Sequence, residues 1–260
     1  MKKKAVLLLM LIAIVSIGML ASCSSGSSGD EPNYADQDFI KSVSKGLEAR
    51  WKLQDGQKDS SATESMREAV QTELAAVEEY KSATFEDSVL QEKALKYINI
   101  LNDSIENVEY YNSSNDYQKW SDVYDQRTMI LKDFADNYGL TVSDKYKSNL
   151  DELVANGKTA GEQTVKKEAM QKLVDSIEFE LKEDDGYGWR TYEAIIENNT
   201  DYDIENLSLD LSLLDKDGVI VKTEYASVDN VSKGQKARLE FTTDEEFDRV
   251  EPIINYFEAK

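Results

Sequence analysis

The 260-residue sequence predicts an α+β chain: an antiparallel helical bundle over residues 33–176, followed by a small antiparallel β-sandwich over residues 177–260. Three observations carry this. Apolar residues recur at about every fourth position up to residue 176 and at every second position beyond it, the periods of helix and strand. The two prolines, Pro32 and Pro252, leave the helical stretch uninterrupted. Asp-Gly and Asn-Asn dipeptides punctuate the C-terminal third at the spacing of short strands.

In the helical part, Phe39, Val43, Leu47 and Trp51 share one face of a first helix that stops near Asp55-Gly56, with Gly46 costing it about 1 kcal/mol against alanine. Ser61 and Glu64 have capping-box spacing ahead of a second helix bearing Met66, Val70, Leu74 and Val77. Thr84 opens a third, whose stripe is Leu90, Ala94, Tyr97, Leu101, Ile105 and Val108. A fourth runs from about Asp116 to Tyr138 with Trp120, Tyr124, Arg127, Leu131 and Phe134 in line, and Gly139 stops it. Ser143 caps a fifth carrying Tyr146, Leu150, Leu153 and Val154, which Asn156-Gly157 closes, and a last helix covers about Gly161 to Ser176. Amphipathic helices with short links form an antiparallel bundle.

In the C-terminal part, Ile177, Phe179 and Leu181 alternate with charged residues as a strand with one wet face. Asp184-Asp185-Gly186 turns the chain into a strand with Tyr192, Ala194 and Ile196, bounded by Asn198-Asn199. Leu207, Leu209, Leu211 and Leu213 face one side of the next strand, and Lys216-Asp217-Gly218 makes a hairpin because Asp-Gly supports positive φ. Val219, Val221, Thr223 and Tyr225 follow. Ala237, Leu239 and Phe241 come after Lys233-Gly234, and Val250, Pro252, Ile254 and Tyr256 carry the last strand.

Within this part, Leu211-Ser212-Leu213-Leu214-Asp215 followed by Lys216-Asp217-Gly218-Val219 resembles the signature strand and turn of the FxLYD domain family. Asn198-Asn199-Thr200 and Lys233-Gly234 sit where that family has a turn and a glycine before a strand. Leu211 stands in place of the family's phenylalanine and Leu214 in place of its tyrosine, so the match rests on Leu213, Asp215, Gly218 and the spacing. The resemblance implies an immunoglobulin-like β-sandwich of binding or accessory character, in exported proteins of low-GC Gram-positive bacteria. It supplies no catalytic residues.

At the other end, Lys2, Lys3 and Lys4 precede an uncharged apolar run from Ala5 to Leu20, the charged and greasy regions of a secretory signal over residues 1–22. Leu20, Ala21 and Ser22 followed by Cys23 resemble the lipobox of bacterial lipoproteins. That resemblance implies lipidation of the Cys23 thiol, cleavage before Cys23, and a mature chain anchored to the cell membrane by buried acyl CH₂ groups. Residues 23–32 are rich in serine and glycine and form a flexible tether. With no second cysteine for a disulfide, the address is the extracellular face of a Gram-positive membrane.

The composition narrows the chemistry. A formal charge of −21 repels nucleic acid and anionic lipid. There is no histidine, hence no Ser-His or Cys-His dyad and no histidine metal ligand, and no P-loop or dinucleotide fingerprint appears. A carboxylate pair is what remains for catalysis, but among 51 acidic residues no pair stands out. Asp215, Asp217, Gly218 and Glu224 mimic part of an EF-hand calcium loop, and Asn198, Asn199, Asp201 and Asp203 make a second oxygen-rich loop, yet both stretches read better as turns, so no metal or other cofactor is expected. The aromatics Tyr110, Tyr111, Tyr117, Trp120 and Tyr124 lie at helical spacing and read as core. Tyr187, Trp189 and Tyr192 lie in a glycine-rich turn and are the candidate ligand-binding residues. The expectation is a membrane-tethered lipoprotein with a non-enzymatic interaction or accessory role toward an envelope protein, glycan or peptide. A dedicated glycan or peptide binder, or a carboxylate-dependent wall hydrolase, are the alternatives.

Overall fold

The computed structural model describes residues 34–59 and 61–260. The signal, Leu20, Ala21, Ser22, Cys23 and the tether lie outside the described residues. Among the described residues, five α-helices precede six strands in two antiparallel sheets, the α+β mixture that the two hydrophobic periods predict.

The helices are α1 (Asp36–Gly56), α2 (Thr63–Ala75), α3 (Ser88–Asn107), α4 (Tyr117–Tyr138) and α5 (Lys147–Val174). Their stripes meet in one buried cluster, with Phe39 at its hub. The Phe39 ring lies edge-on to Tyr80, Phe85 and Phe134 at centroid distances of 5.5, 5.7 and 5.5 Å, an arrangement worth about 0.5–1.5 kcal/mol per pair beyond burial. Tyr111 packs edge-on against buried Trp120 at 5.3 Å, so most of the first aromatic group is core, while Tyr117 is exposed.

Four helix boundaries differ from expectation. Ser143 makes no side-chain capping bond, its N–H donating instead to the Glu48 carboxylate of α1, and α5 begins only at Lys147. The capping box at Ser61 does not form, because the Ser61 N–H and hydroxyl both donate to the Asp59 carboxylate and α2 starts two residues later. The third helix is opened by Asp87, not Thr84. The Asp87 carboxylate accepts from Val89 N and Leu90 N, while Asp36 of α1 accepts the N–H groups of Glu86 and Asp87. Most consequentially, Asn156-Gly157 ends nothing. The two expected helices are one continuous 28-residue α5, and Gly157 sits where a Cβ would lie 2.2 Å from the Thr128 carbonyl oxygen of α4. Packing needs a residue without a side chain there, and that need overrides the stop signal.

The strands are β1 (Glu180–Asp184), β2 (Arg190–Glu197), β3 (Ile204–Leu214), β4 (Ile220–Val231), β5 (Lys236–Thr243) and β6 (Arg249–Ala259). One sheet has the order β1-β2-β5 and the other β4-β3-β6. A second buried cluster takes Ala194, Ile196, Leu239 and Phe241 from the first sheet, Leu207, Leu209, Leu211, Leu213, Ala226 and Val228 from the second, and Met170, Leu173 and Val174 from the end of α5. The N-terminal half of α5, through Leu150 and Leu153, belongs to the helical cluster, so one helix serves both cores.

Three strand readings need correction. Leu181 is exposed rather than inward, because Ile177 still closes the last turn of α5 and β1 starts only at Glu180, with every residue outside the core. The apolar face of β4, with Val219 and Val221 leading into Tyr225, points outward. Its inward positions opposite Leu213 and Leu211 are Lys222 and Glu224, charges of the kind that protect an edge strand from pairing with another chain. In β6 a bulge between Ile254 and Tyr256 shifts the register, so Phe257 takes the inward place expected of Tyr256.

Candidate functional site

Two places hold the residues with the most specific environments. The first is inside the helical part. Glu73 of α2 is fully buried, and each of the other three crossing helices sends one polar group to it. Arg127 of α4 grips it with two bonds, Nε to Oε1 at 2.8 Å and Nη2 to Oε2 at 2.7 Å. Arg50 of α1 donates Nη1 to Oε2 at 2.7 Å and rests its other nitrogen on the Met66 sulfur, and the Tyr97 hydroxyl of α3 donates to Oε1. Gly46, one turn before Arg50, lets α1 approach the Glu73 backbone, where a Cβ would lie 3.1 Å from the Glu73 carbonyl oxygen.

Burial by itself raises the Glu73 pKa, but the charges of Arg127 and Arg50 more than reverse this and bring it to about 2. Burial and the nearby Arg127 charge push Arg50 down, whereas Arg127, gripped twice by Glu73, is held up against its own desolvation. Burial, then Glu73, raises Tyr97 well above its usual value. At neutral pH the carboxylate is therefore ionised and the phenol protonated, and both carboxylate oxygens of Glu73 are engaged. This arrangement locks helices together and has no group free to exchange a proton with a substrate.

The second place is the end of the sheets remote from α5. The pairings Asp184↔Arg190, Arg190↔Thr243, Leu214↔Ile220 and Leu214↔Arg249 bring the β1–β2, β3–β4 and β5–β6 links together there. The opposite end, where Asn199–Asp201 face α5 and Lys166 donates to the Ala259 carbonyl, adjoins the helix.

At the free end the β1–β2 link is folded tightly. Asp185 Oδ1 accepts the N–H groups of Tyr187 and Trp189 at 2.7 and 3.0 Å, and Gly186 and Gly188 take the positive φ values of 75° and 107° that this path requires. The result is that Tyr187 projects 92 % exposed and Trp189 is 49 % exposed. Tyr192, the third candidate, is not part of this display. It stacks on Phe241 at 5.1 Å and tilts onto Phe247 at 4.9 Å, a packing residue beneath the link. Lys222 of β4 reaches two of these links: its amine lies 5.8 Å from the Trp189 ring centroid and pairs with Asp244 at 2.9 Å, and with Glu224 of its own strand at 3.0 Å.

The oxygen-rich loops are turns. Asp215 Oδ1 accepts from Asp217 N and Val219 N, both at 2.9 Å, and Glu224 pairs with Lys222. Asn198 is fully buried, donating to the carbonyls of Tyr202 and Val231 and accepting from both the N–H and the hydroxyl of Thr200, while Asp201 pairs with Lys233. Among the described residues no group of three His, Cys, Asp or Glu is arranged to hold a metal ion, and no helix is long and apolar enough to cross a membrane. Asp125 is a carboxylate with a raised pKa, through partial burial and then Asp122, but it lines neither the concavities beside α5 nor the one at the free end of the sheets.

Comparison with protein families, with curated proteins and with solved structures gives no match. Of the second group of aromatics, Tyr187 and Trp189 lie in the glycine-rich link between β1 and β2, where both rings are exposed. The buried network is the part that residue patterns miss, since Arg50 and Glu73 read as ordinary surface charges. Arg127, lying on an apolar stripe between Tyr124 and Leu131, is the signal that points toward it.

Proposed function

We propose that this chain is a non-enzymatic surface lipoprotein, lipidated on Cys23 and tethered to the outer face of a bacterial cell membrane, whose β part contacts another envelope component. The observation that carries the interaction role is the presentation of Tyr187 and Trp189 on a rigid turn at the free end of the sheets. Leaving two aromatic rings in water is unfavourable for a chain that has two buried cores available, and such rings are typical anchors of binding surfaces.

The strand order supports reading the β part as an immunoglobulin-like sandwich. The links β2–β3, β4–β5 and β5–β6 each change sheet while β3–β4 stays within one, and β6 returns beside β3, as in that fold. The FxLYD-like Leu213, Asp215 and Gly218 form the β3–β4 hairpin at the same free end. Exposed rings also favour a second reading, a glycan binder that stacks sugars on Tyr187 and Trp189.

The test has two arms on living cells. Cys23→Ala should abolish the acyl mass on the native protein and release the chain from the envelope. A photocrosslinker in place of Tyr187 should capture an envelope protein. Envelope retention of the Cys23→Ala chain overturns the anchoring, and capture of a sugar polymer replaces the first reading by the second.

A further inference from the structure

The free end of the sheets carries more than two rings. Val219 and Ile220, in and after the β3–β4 hairpin at the same end, are 58 % and 56 % exposed, so this end displays apolar side chains from two of its links. There the β3–β4 and β5–β6 links enclose a concavity of about 300 Å³ lined by Asp215, Lys216, Asp217, Glu246, Phe247 and Asp248. The Asp248 N–H bonds to the Leu214 carbonyl at 2.7 Å, which fixes the two links relative to each other. The half-buried Phe247 is the concavity's one aromatic wall, and it is backed by Tyr192 and Phe241, so its ring is held in place.

Charge selects what can dock here. Residues 184–190, 215–222 and 244–249 contain eight carboxylates against four cations, Arg190, Lys216, Lys222 and Arg249, so this end stays acidic although Lys222 already pairs with Asp244. An anionic lipid surface or an acidic polymer is repelled, and a neutral sugar has no use for such a field. A lysine or arginine side chain finds both things that bind it, a carboxylate rim and an aromatic face. We propose that this end of the sheets is a receptor for a cationic, apolar-flanked polypeptide segment, whose lysine or arginine enters the concavity against Phe247 while a neighbouring apolar residue covers Trp189 and Tyr187. This rests on the interaction role proposed above and names the partner's chemistry.

The experiment measures fluorescence anisotropy of a labelled synthetic peptide of alternating lysine and isoleucine against the full-length protein in detergent. The pair Asp217→Asn and Glu246→Gln removes two rim charges whose side chains hold none of the turn bonds described. It should weaken binding at least tenfold, as should Trp189→Ala with Tyr187→Ala. Glu78→Gln with Glu79→Gln, exposed charges on the helical part, should leave binding within twofold, which separates a site from general attraction to an acidic protein. Equal binding of a glutamate–isoleucine peptide, or equal loss from the Glu78/Glu79 pair, overturns the proposal. If these fail while the Tyr187 crosslinker still captures an envelope molecule, the cationic class is wrong and the interaction role stands. If the crosslinker captures nothing on cells, the interaction role itself falls.

Discussion

Replacing Glu73 by glutamine keeps the shape of the buried network and removes its one negative charge. Two guanidiniums, fully buried and both bonded to that carboxylate, are then left facing each other. Breaking a buried ion pair by removing one partner costs about 3–5 kcal/mol, and here one carboxylate serves two partners, so the upper part of that range applies. Against a total stability on the order of 5–15 kcal/mol this is a large fraction, and it corresponds to a fall in Tm of about 10 °C or more for a unit of this size. Urea and thermal unfolding followed by helical circular dichroism measure it directly. The same argument predicts the opposite result for Arg50→Met, Glu73→Leu, Tyr97→Phe and Arg127→Met made together. Replacing the whole set by apolar groups of similar volume removes the desolvation cost along with the bonds, and such a chain should unfold within about 1 kcal/mol of the parent, or above it. A Glu73→Gln chain that unfolds within about 1 kcal/mol of the parent refutes this account of the network.

Acid should act through the same residue. Glu73 is held at about 2 in the fold against 4.5 in the open chain, so its contribution is complete above pH 4.5 and fades as the pH falls toward 2. The difference is about 3 kcal/mol, visible as a steeper acid loss of urea stability in the parent than in the fourfold apolar variant. Gly157→Ala forces a Cβ into the α4 backbone at Thr128 and should cost about 2–3 kcal/mol, whereas Gly161→Ala one turn later meets only the Met129 sulfur at 3.9 Å and should stabilise by up to about 1 kcal/mol, both read by urea unfolding. Asn198→Ala strands the carbonyls of Tyr202 and Val231 and the donors of Thr200, and should cost about 2–4 kcal/mol, with amide exchange in β2 and β5 rising first.

The helical stripes and the leucine alternation of β3 are legible in the sequence because burial there follows a simple period. Legibility fails where a second constraint overrides the period. Asn156-Gly157 is a stop signal by composition, yet the close approach of α4 requires glycine within a continuous helix. Lys222 and Glu224 occupy inward positions because an edge strand benefits from charge there, which inverts the apparent face of β4. Arg50 and Glu73 carry no local mark at all, since their meaning depends on three other helices reaching the same point. At the candidate site, the sequence puts Tyr187 and Trp189 in a glycine-rich turn, while their exposure follows from the path that Asp185 and the two positive-φ glycines impose on it. The inward turn of Tyr192 depended on Phe241 and Phe247, which lie about fifty residues away in the sequence.

At about 1.5 Å per residue the 28 residues of α5 make a shaft some 42 Å long with no joint along it. Its first half is gripped by one core and its last turns by the other, while Glu162, Gln163, Thr164 and Val165 between them stand in water. A pull or twist delivered to the sheets is therefore conducted to the helices along that axle, whose middle turns are braced from the side by Thr164 against the Met129 sulfur of α4 and by Lys166 on the Ala259 carbonyl of β6.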